Sequence, residues 1–343
     1  MQQKVKMAIN GFGRIGRQAF KIALQKPEIE IVAINDLSGT DVLAKLLKYD
    51  SNYGAFNHDI SSDDTHIIVD GVSYMVSAEK DPAQLPWKKL DVDVVIECTG
   101  RFTDSEKAGA HLAAGAKRVI ISAPAKDEGM TKTYVLGVNG ESYNNESIIS
   151  NASCTTNCIA PVAHVLETEF GIEKAMMTTI HSYTAEQNLV DGPPPGGHSN
   201  DLRRARAAAI NIVPTTTGAA ISATETIPSL KNLFDGMAIR VPTPVGSLTD
   251  FTMLLKKNVT VEDINDAFVK ASQNPLYKDK LVVTDEPIVS SDIVGNPASA
   301  IVDLSLTKVV DGNLVKVIAW YDNEFGYSNR LIEQVILIGQ TLS

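Results

Sequence analysis

The sequence predicts an α/β protein of two parts: a Rossmann-type domain, then an α+β domain with a mixed sheet. Three observations predict this fold class. Apolar runs alternate with amphipathic helices up to about residue 150, a glycine-rich motif follows the first of these runs, and longer strands with fewer helices come after. Strand–helix alternation is typical of a parallel sheet with helical crossovers.

The first part contains six predicted strands and two predicted helices. The strands are at 4–9, 30–35, 65–69, 72–76, 93–98 and 118–122, and the helices at 14–25 and 104–114. Asp70 and Gly71 form a two-residue turn that predicts a hairpin between the third and fourth strands. The last two strands are apolar nearly throughout, as expected of strands that are covered on both faces.

The second part is richer in strands. Strands are predicted at 174–180, 238–241, 248–255, 300–306 and 314–321, with helices at 261–272 and 328–338. The segment 192–200, GPPPGGHSN, is predicted to be a loop, because its prolines and glycines disfavour regular structure.

Composition excludes several classes of protein. The 343 residues suffice for about two domains of roughly 150 residues each, and no apolar run approaches the ~18 residues of a membrane span. The first residues lack the long apolar core of a signal peptide, so we expect a cytoplasmic location. A net charge of −10 argues against a membrane surface or a nucleic acid as the main ligand. Three cysteines predict neither a disulfide framework nor a metal site.

Gly11, Gly13 and Gly16 form a G-x-G-x-x-G motif between a predicted strand and a predicted helix. Asp36 ends the next strand, 20 residues after Gly16, which completes the dinucleotide fingerprint. The glycines allow a tight turn, close approach of the pyrophosphate, and helix–strand packing. Asp36 accepts hydrogen bonds from ribose hydroxyls and repels a 2′-phosphate, so NAD is the predicted cofactor. The alternatives are a glycine-rich turn without a ligand and an aspartate that only ends a strand.

The segment SNASCTTNC at 150–158 predicts a nucleophile at a helix start. Ser153 is a suitable N-cap for a helix that continues over 156–167 and places Cys154 in its first turn. There the helix dipole stabilises a thiolate. His181, at the end of a predicted strand, is the best candidate for the base. The alternative is a small buried cysteine and a structural histidine.

Cations and hydroxyl groups that suit a phosphate cluster in the second part. They are Thr184, the arginines 203, 204 and 206, the run TTTG at 215–218, and Arg240. A solvated helix face for the arginine run and a salt bridge for Arg240 are the alternative interpretations.

The chain resembles the phosphorylating glyceraldehyde-3-phosphate dehydrogenases over nearly its whole length. Nine strings in the family's order carry the resemblance, and SNASCTTNC is the most specific. They are NGFGRIGR at 10–17, ECTGRFT at 97–103, ISAPAKD at 121–127, SNASCTTNC at 150–158, TTIHSYT at 178–184, DLRRARAA at 201–208, PTTTGAA at 214–220, RVPTP at 240–244 and WYDNEFGYSNR at 320–330.

The resemblance implies a role for each matching position. Cys154 resembles the thiol that attacks the aldehyde, and His181 the base that activates it. The residues that resemble the inorganic-phosphate site are Ser153, Thr155, Arg204, Thr217 and Gly218, with Arg203 and Arg206 as alternatives to Arg204. Those that resemble the site of the substrate's phosphate are Thr184 and Arg240. Those that resemble cofactor contacts, beside the three glycines, are Arg14, Ile15, Asp36, Ser122 and Asn323.

The resemblance also implies an NAD-binding domain at 1–153 completed by a C-terminal helix within 322–343, a catalytic domain at 154–321, and a homotetramer acting in glycolysis. The implied reaction converts glyceraldehyde 3-phosphate, NAD and inorganic phosphate into 1,3-bisphosphoglycerate through a hemithioacetal and a thioester. Three other functions compete with it: a dehydrogenase for erythrose 4-phosphate, a non-catalytic NAD- or RNA-binding protein, and a Cys–His hydrolase.

Four departures from the family pattern concern the predicted sites. The usual Asn-Asp-Gln after HSYT is Ala185, Glu186 and Gln187 here, and the 192–200 loop is a few residues longer than usual. Ile221 replaces a common lysine, and Phe325 replaces a common tryptophan.

Overall fold

A computed structural model describes residues 4–127, 129–194 and 201–342, so residues 195–200 of the predicted loop lie outside the described residues. The chain divides into two compact units. The first contains residues 1–134, 142–152 and 328–343, and the second contains residues 135–141 and 153–327. The predicted domain bounds were 1–153, 154–321 and 322–343; residues 135–141 cluster with the second unit, whose main segment is 153–327.

The first unit consists of a parallel sheet extended by a short antiparallel edge. Its strands are β1 Val5–Asn10, β2 Ile29–Asn35, β3 Tyr49–Asp50, β4 Gly54–Ala55, β5 Ile60–Ser62, β6 His66–Val69, β7 Val72–Ser77, β8 Val94–Glu97, β9 Arg118–Ile121, β10 Lys132–Thr133 and β11 Ile148–Ser150. Its helices up to residue 134 are α1 Arg14–Ala23, α2 Thr40–Lys48, α3 Trp87–Leu90 and α4 Ser105–Ala113.

Nine described strands form the sheet of the first unit in the order β10-β11-β9-β8-β1-β2-β7-β6-β5. The strands from β10 to β7 pair in parallel, and the hairpin predicted at Asp70-Gly71 joins β6 and β7 in antiparallel pairing. The chain moves from β1 to β2 on one side and later to β8 on the other side. Such a reversal creates a crevice at the carboxyl ends of the strands, where ligands of this fold class bind.

The second unit contains a mixed sheet, as predicted. Its strands are β12 Ile172–Ser182, β13 Val213–Thr215, β14 Phe234–Val241, β15 Ser247–Leu255, β16 Leu281–Thr284, β17 Ala300–Asp303, β18 Lys308–Val310 and β19 Leu314–Tyr321. Its helices are α5 Cys154–Phe170, α6 Ala219–Thr226 and α7 Val261–Gln273. The last helix, α8 Phe325–Gly339, continues into the C-terminal part of the first unit.

Parallel pairing of β12 with β14 and antiparallel pairing of β12 with β15 make β12 an interior strand of this sheet. His181 and Arg240 are directly opposite each other in the β12–β14 register. The strand predicted at 300–306 was too long, because β17 ends at Asp303 and residues 304–306 form a 3₁₀ turn. Asp303 accepts a hydrogen bond from Ser305 Oγ at 2.7 Å, which accompanies this turn of the chain.

Candidate active site

The glycine motif of the first unit forms the turn from β1 into α1. Gly11 has a φ of 93°, and a Cβ there would lie 2.7 Å from the Thr99 backbone nitrogen. A Cβ on Gly16 would lie 2.1 Å from the Gly11 carbonyl oxygen, whereas one on Gly13 would meet nothing within 4 Å. Gly11 and Gly16 are therefore required by close packing, and the space above Gly13 is open to a ligand.

Gly13 is the N-cap of α1, whose first turn holds no acidic residue and includes Arg14 and Ile15. The N–H groups of this turn and the helix dipole suit the pyrophosphate of NAD, so the donor set fits the cofactor. The Arg14 guanidinium pairs with Asp50 at 2.8 Å. The Asp36 carboxylate accepts hydrogen bonds from Phe12 N at 2.8 Å and Ser38 N at 2.9 Å, and it thereby fixes the glycine turn.

Below the glycine turn is a buried polar network that sequence reasoning missed. Glu97 accepts hydrogen bonds from Asn10 Nδ2 at 2.5 Å and from the backbone and side chain of Thr99. Trp87 Nε1 donates to His111 Nδ1 at 3.0 Å, so His111 Nε2 carries a proton and donates to Glu97 at 3.1 Å. The hint in the sequence was Glu97, a carboxylate within an otherwise apolar strand.

Ser122 follows β9 and hydrogen-bonds the Cys98 thiol, and burial raises the pKa of that thiol to about 12. Asn323, predicted as a further cofactor contact, belongs to the second unit. Its Oδ1 accepts hydrogen bonds from Gly246 N at 3.1 Å and Ser247 Oγ at 3.0 Å, and the residue is buried.

The second unit brings Cys154 and His181 together. Ser153 is the N-cap of α5 and accepts a hydrogen bond from Thr156 N at 2.9 Å, as predicted. Cys154 is the first residue of the helix, and its Sγ lies 3.4 Å from His181 Nε2. His181 Nδ1 lies 2.7 Å from the Ser182 carbonyl oxygen, which can only accept, and a proton on Nδ1 that donates to this carbonyl leaves Nε2 without a proton. His181 Nε2 is therefore an acceptor aimed at the thiol.

Burial has the largest effect on the pKa of Cys154 and on the pKa of His181. Burial raises the pKa of the Cys154 thiol, although the Arg240 cation and the Thr155 hydrogen bonds act in the opposite direction. Burial, followed by the Arg240 cation, lowers the pKa of His181 to about 3. Burial thus opposes the thiolate that the helix start is predicted to favour, and the pKa of Cys154 lies above its ordinary value.

Tyr321 is a further residue that sequence reasoning missed. Its hydroxyl lies 2.9 Å from Thr155 Oγ1 and 2.7 Å from Thr179 Oγ1, and its ring packs edge-on against the His181 ring. These contacts fix the first turn of α5 against β12. The string WYDN contains Tyr321, but only the tertiary structure shows where its hydroxyl lies.

Arg240 lies on the other side of His181. Its Nη1 donates to the Ser182 carbonyl at 2.9 Å and to Thr184 Oγ1 at 3.4 Å, and it lies 2.9 Å from His181 Nδ1. Thr184 and Arg240, both predicted for the substrate's phosphate, are therefore adjacent. A cation and a hydroxyl beside the reactive pair are suited to hold an anionic substrate.

Of the three predicted arginines, Arg204 alone is buried. It contacts Asp201, Thr215 and Glu186, whereas Arg203 is exposed and Arg206 pairs with Asp191 at the surface. Thr217 and Gly218 precede α6, where Thr217 Oγ1 accepts from Ala219 N at 3.2 Å. Thr156 Oγ1 donates to the Ala219 carbonyl at 3.4 Å, which brings the starts of α5 and α6 together.

Fold and site together define an NAD-binding dehydrogenase with a cysteine–histidine pair. The glyceraldehyde 3-phosphate dehydrogenase NAD binding domain matches residues 5–105, and the C-terminal domain of the same family matches residues 153–323. The chain is 54% identical to the glyceraldehyde-3-phosphate dehydrogenase of Mycolicibacterium smegmatis, over 98% of this chain and 99% of the relative. It is 50% identical to that of Streptomyces coelicolor over the same shares, and 51% identical to that of Geobacillus stearothermophilus over 96% of each chain. The chain belongs to the glyceraldehyde-3-phosphate dehydrogenase family.

Proposed function

We propose that Cys154 and His181 carry out the phosphorylating oxidation of glyceraldehyde 3-phosphate. The chain is an NAD-dependent glyceraldehyde-3-phosphate dehydrogenase of glycolysis by its family. The observation that carries the assignment of residues is the 3.4 Å contact between Cys154 Sγ and His181 Nε2.

The chemistry follows from the contact between Cys154 Sγ and His181 Nε2, across which a proton can pass. As Cys154 Sγ bonds to the aldehyde carbon, its proton passes to His181 Nε2, and the carbonyl π electrons move to oxygen, so the adduct is the oxyanion form of a hemithioacetal. NAD, when bound, supplies the hydride acceptor that converts this adduct into a thioester. Backbone N–H groups at the start of α5 suit the developing oxyanion. A phosphate oxygen then attacks the thioester carbon, the C–S bond breaks, and the proton held on His181 returns to the departing Cys154 sulfur, which restores the starting pair.

We assign the two phosphate groups to two clusters of the second unit. Thr184 and Arg240 hold the substrate's own phosphate, because they lie beside the reactive pair. Arg204 holds the attacking phosphate with Ser153, Thr155, Thr217 and Gly218 at the two helix starts. The burial of Arg204, in contrast to the exposure of Arg203 and Arg206, supports its choice among the three.

For the cofactor, we assign the glycine turn, Arg14 and Ile15 to the pyrophosphate side and Asp36 to the adenosine ribose. Ser122 and Asn323 are assigned to the nicotinamide side. Support comes from the open space above Gly13 and from the hydrogen bonds that fix Asp36 beside the turn.

We also propose a cytoplasmic homotetramer. No helix within the described residues is long and apolar enough to cross a membrane. Large apolar side chains on the second unit are exposed, a pattern that marks protein interfaces. The most exposed of them are Met176, Leu189, Val190, Leu202, Ile210, Ile212 and Ile221. Sedimentation equilibrium tests the assembly, and the mass of a single chain at micromolar concentration would contradict it.

Rapid mixing tests the proposed reaction. Without phosphate, the thioester has only slow hydrolysis as an outlet, so we expect a burst of about one NADH per active site. Added phosphate should restore steady turnover. Full turnover in phosphate-free buffer would contradict the phosphorylating reaction and leave the nucleophile unaffected.

A further inference from the structure

Glu186 forms a carboxylate bridge between the two arginines assigned to phosphate. Its Oε2 lies 2.6 Å from Arg204 Nη1 and 3.9 Å from Arg240 Nη2. The first distance is that of a short charge-assisted hydrogen bond. A carboxylate therefore occupies the guanidinium nitrogen that an incoming phosphate would need.

Arg204 has a second carboxylate partner of a different kind. Asp201 contacts Arg204 Nε at 3.0 Å and accepts from Thr215 Oγ1 at 2.6 Å, and Thr215 itself contacts Arg204 Nε at 3.1 Å. This closed set of contacts fixes the Nε edge of the guanidinium. The Glu186 side chain is 46% exposed, against 26% for Asp201, so Glu186 is the carboxylate that can move into solvent.

The local charge requires such a movement. Arg204 and Arg240 supply two positive charges, and Asp201 and Glu186 supply two negative charges, so the cluster is neutral. A phosphate dianion placed beside both carboxylates would be repelled by each of them. If Glu186 withdraws, the cluster gains a net positive charge and Arg204 Nη1 becomes available. Nη2 donates to the Thr216 carbonyl at 3.5 Å and has a second hydrogen, so the two nitrogens can make a bidentate contact with phosphate.

We propose that Glu186 is an internal anion that competes with inorganic phosphate for Arg204. The proposal rests on the assignment of Arg204 to the attacking phosphate. Glu186 would then set the phosphate concentration that half-saturates the enzyme, because only molecules with the carboxylate withdrawn can bind phosphate.

Side-chain length determines whether this competition is possible. An aspartate is shorter by one methylene group, so its carboxylate would fall short of Arg204 Nη1 if the backbone stayed in place. Glu186→Asp therefore keeps the charge and removes the reach, whereas Glu186→Gln keeps the reach and removes the charge. Both changes should favour phosphate.

The test is a phosphate titration of the initial rate at saturating NAD and aldehyde. If Glu186 occupies Arg204 in about nine molecules of ten, either variant should lower the half-saturating phosphate concentration by about tenfold. Sulfate, a non-reacting competitor of phosphate, should inhibit at a concentration lowered by the same factor. The half-saturating aldehyde concentration should change much less, since Arg240 is farther from Glu186.

Asp191→Asn is the matched control, because it removes a carboxylate from the surface pair with Arg206. This variant should have a half-saturating phosphate concentration within about twofold of the native value. An unchanged or higher half-saturating phosphate concentration in a folded Glu186 variant would overturn the proposal. If Glu186→Gln does not fold, the result for Glu186→Asp decides. The NADH burst without phosphate, measured in the same proteins, shows separately whether the proposed reaction stands.

Discussion

Arg240→Gln should slow the alkylation of Cys154. The Arg240 cation favours the thiolate and lowers the pKa of Cys154 against the effect of burial. Arg240 Nη1 is 2.9 Å from one nitrogen of His181, and Cys154 Sγ is 3.4 Å from the other. Because the imidazole ring is the spacer, the guanidinium can be no more than about 8–9 Å from the sulfur. At an effective dielectric constant of about 20, that separation corresponds to about 2 kcal/mol of attraction.

Loss of this attraction raises the pKa of Cys154 in the variant, so less thiolate is present at any pH below the new midpoint. We expect alkylation by iodoacetamide at neutral pH to slow by about 10- to 30-fold, since 1.36 kcal/mol corresponds to one pKa unit. The assay is the second-order rate of Cys154 labelling between pH 6 and pH 10. The midpoint should move to higher pH, while the limiting rate above it should stay nearly the same.

Arg204→Gln is the control, because the charge of Arg204 is already offset by Asp201 and Glu186. Its labelling profile should differ little from that of the native protein. If Arg240→Gln has the native profile, or if both variants shift equally, then the inferred influence of Arg240 on the thiol is incorrect.

Three further predictions concern reactivity, cofactor choice and stability. Cys154 should react with iodoacetamide before Cys98, because burial raises the pKa of Cys98 to about 12. Peptide mapping after brief labelling measures the order, and earlier labelling of Cys98 would contradict the assignment of Cys154 as the nucleophile. Asp36→Asn keeps an acceptor for the glycine turn and removes the charge, so the kcat/KM ratio of NAD to NADP should fall; equal use of both cofactors by the native protein would exclude Asp36 as the determinant. Asp127→Ala should lower the free energy of unfolding by about 1–3 kcal/mol in a denaturant titration, since Asp127 accepts hydrogen bonds from Ser105 N and Thr131. Burial acts to raise the pKa of Asp127, but the hydrogen bonds from Thr131 and Ser105 outweigh it and lower the pKa from 3.8 to about 2. The stabilisation by Asp127 is therefore present above pH 3.8 and is lost as pH falls through 2. A native-like free energy of unfolding for the variant at pH 7 would contradict this role.

The sequence predicted the elements that depend on local patterns. The glycine turn, the N-cap at Ser153 and the strand Leu314–Tyr321 follow from backbone requirements and from side-chain periodicity, which are encoded within a few residues. The strand alternation predicted a parallel sheet, but it did not predict that β2 and β8 are the neighbours of β1, because the sequence does not specify which strands pair. The end of the strand predicted at 300–306 was wrong, because the strand stops at Asp303, where a side-chain hydrogen bond accompanies the turn.

The contacts of the site could not be predicted in the same way. Arg204, Arg203 and Arg206 are equivalent in sequence, and only tertiary packing buries Arg204 beside Thr215. The helix start alone suggested a stabilised thiolate, but the pKa of Cys154 also depends on burial by distant segments. Burial is a property of the whole unit, so no local pattern reveals it.

The acyl group on Cys154 is the central feature of this account, and its mass can be measured directly. The enzyme is mixed with NAD and glyceraldehyde 3-phosphate in phosphate-free buffer, quenched in acid within the burst, and digested for mass spectrometry. The account predicts one 3-phosphoglyceroyl group per chain, held as a thioester on the peptide that contains Cys154, and its disappearance when phosphate is added before the quench. An unmodified Cys154 during the burst, or the acyl group on another residue, would contradict the account.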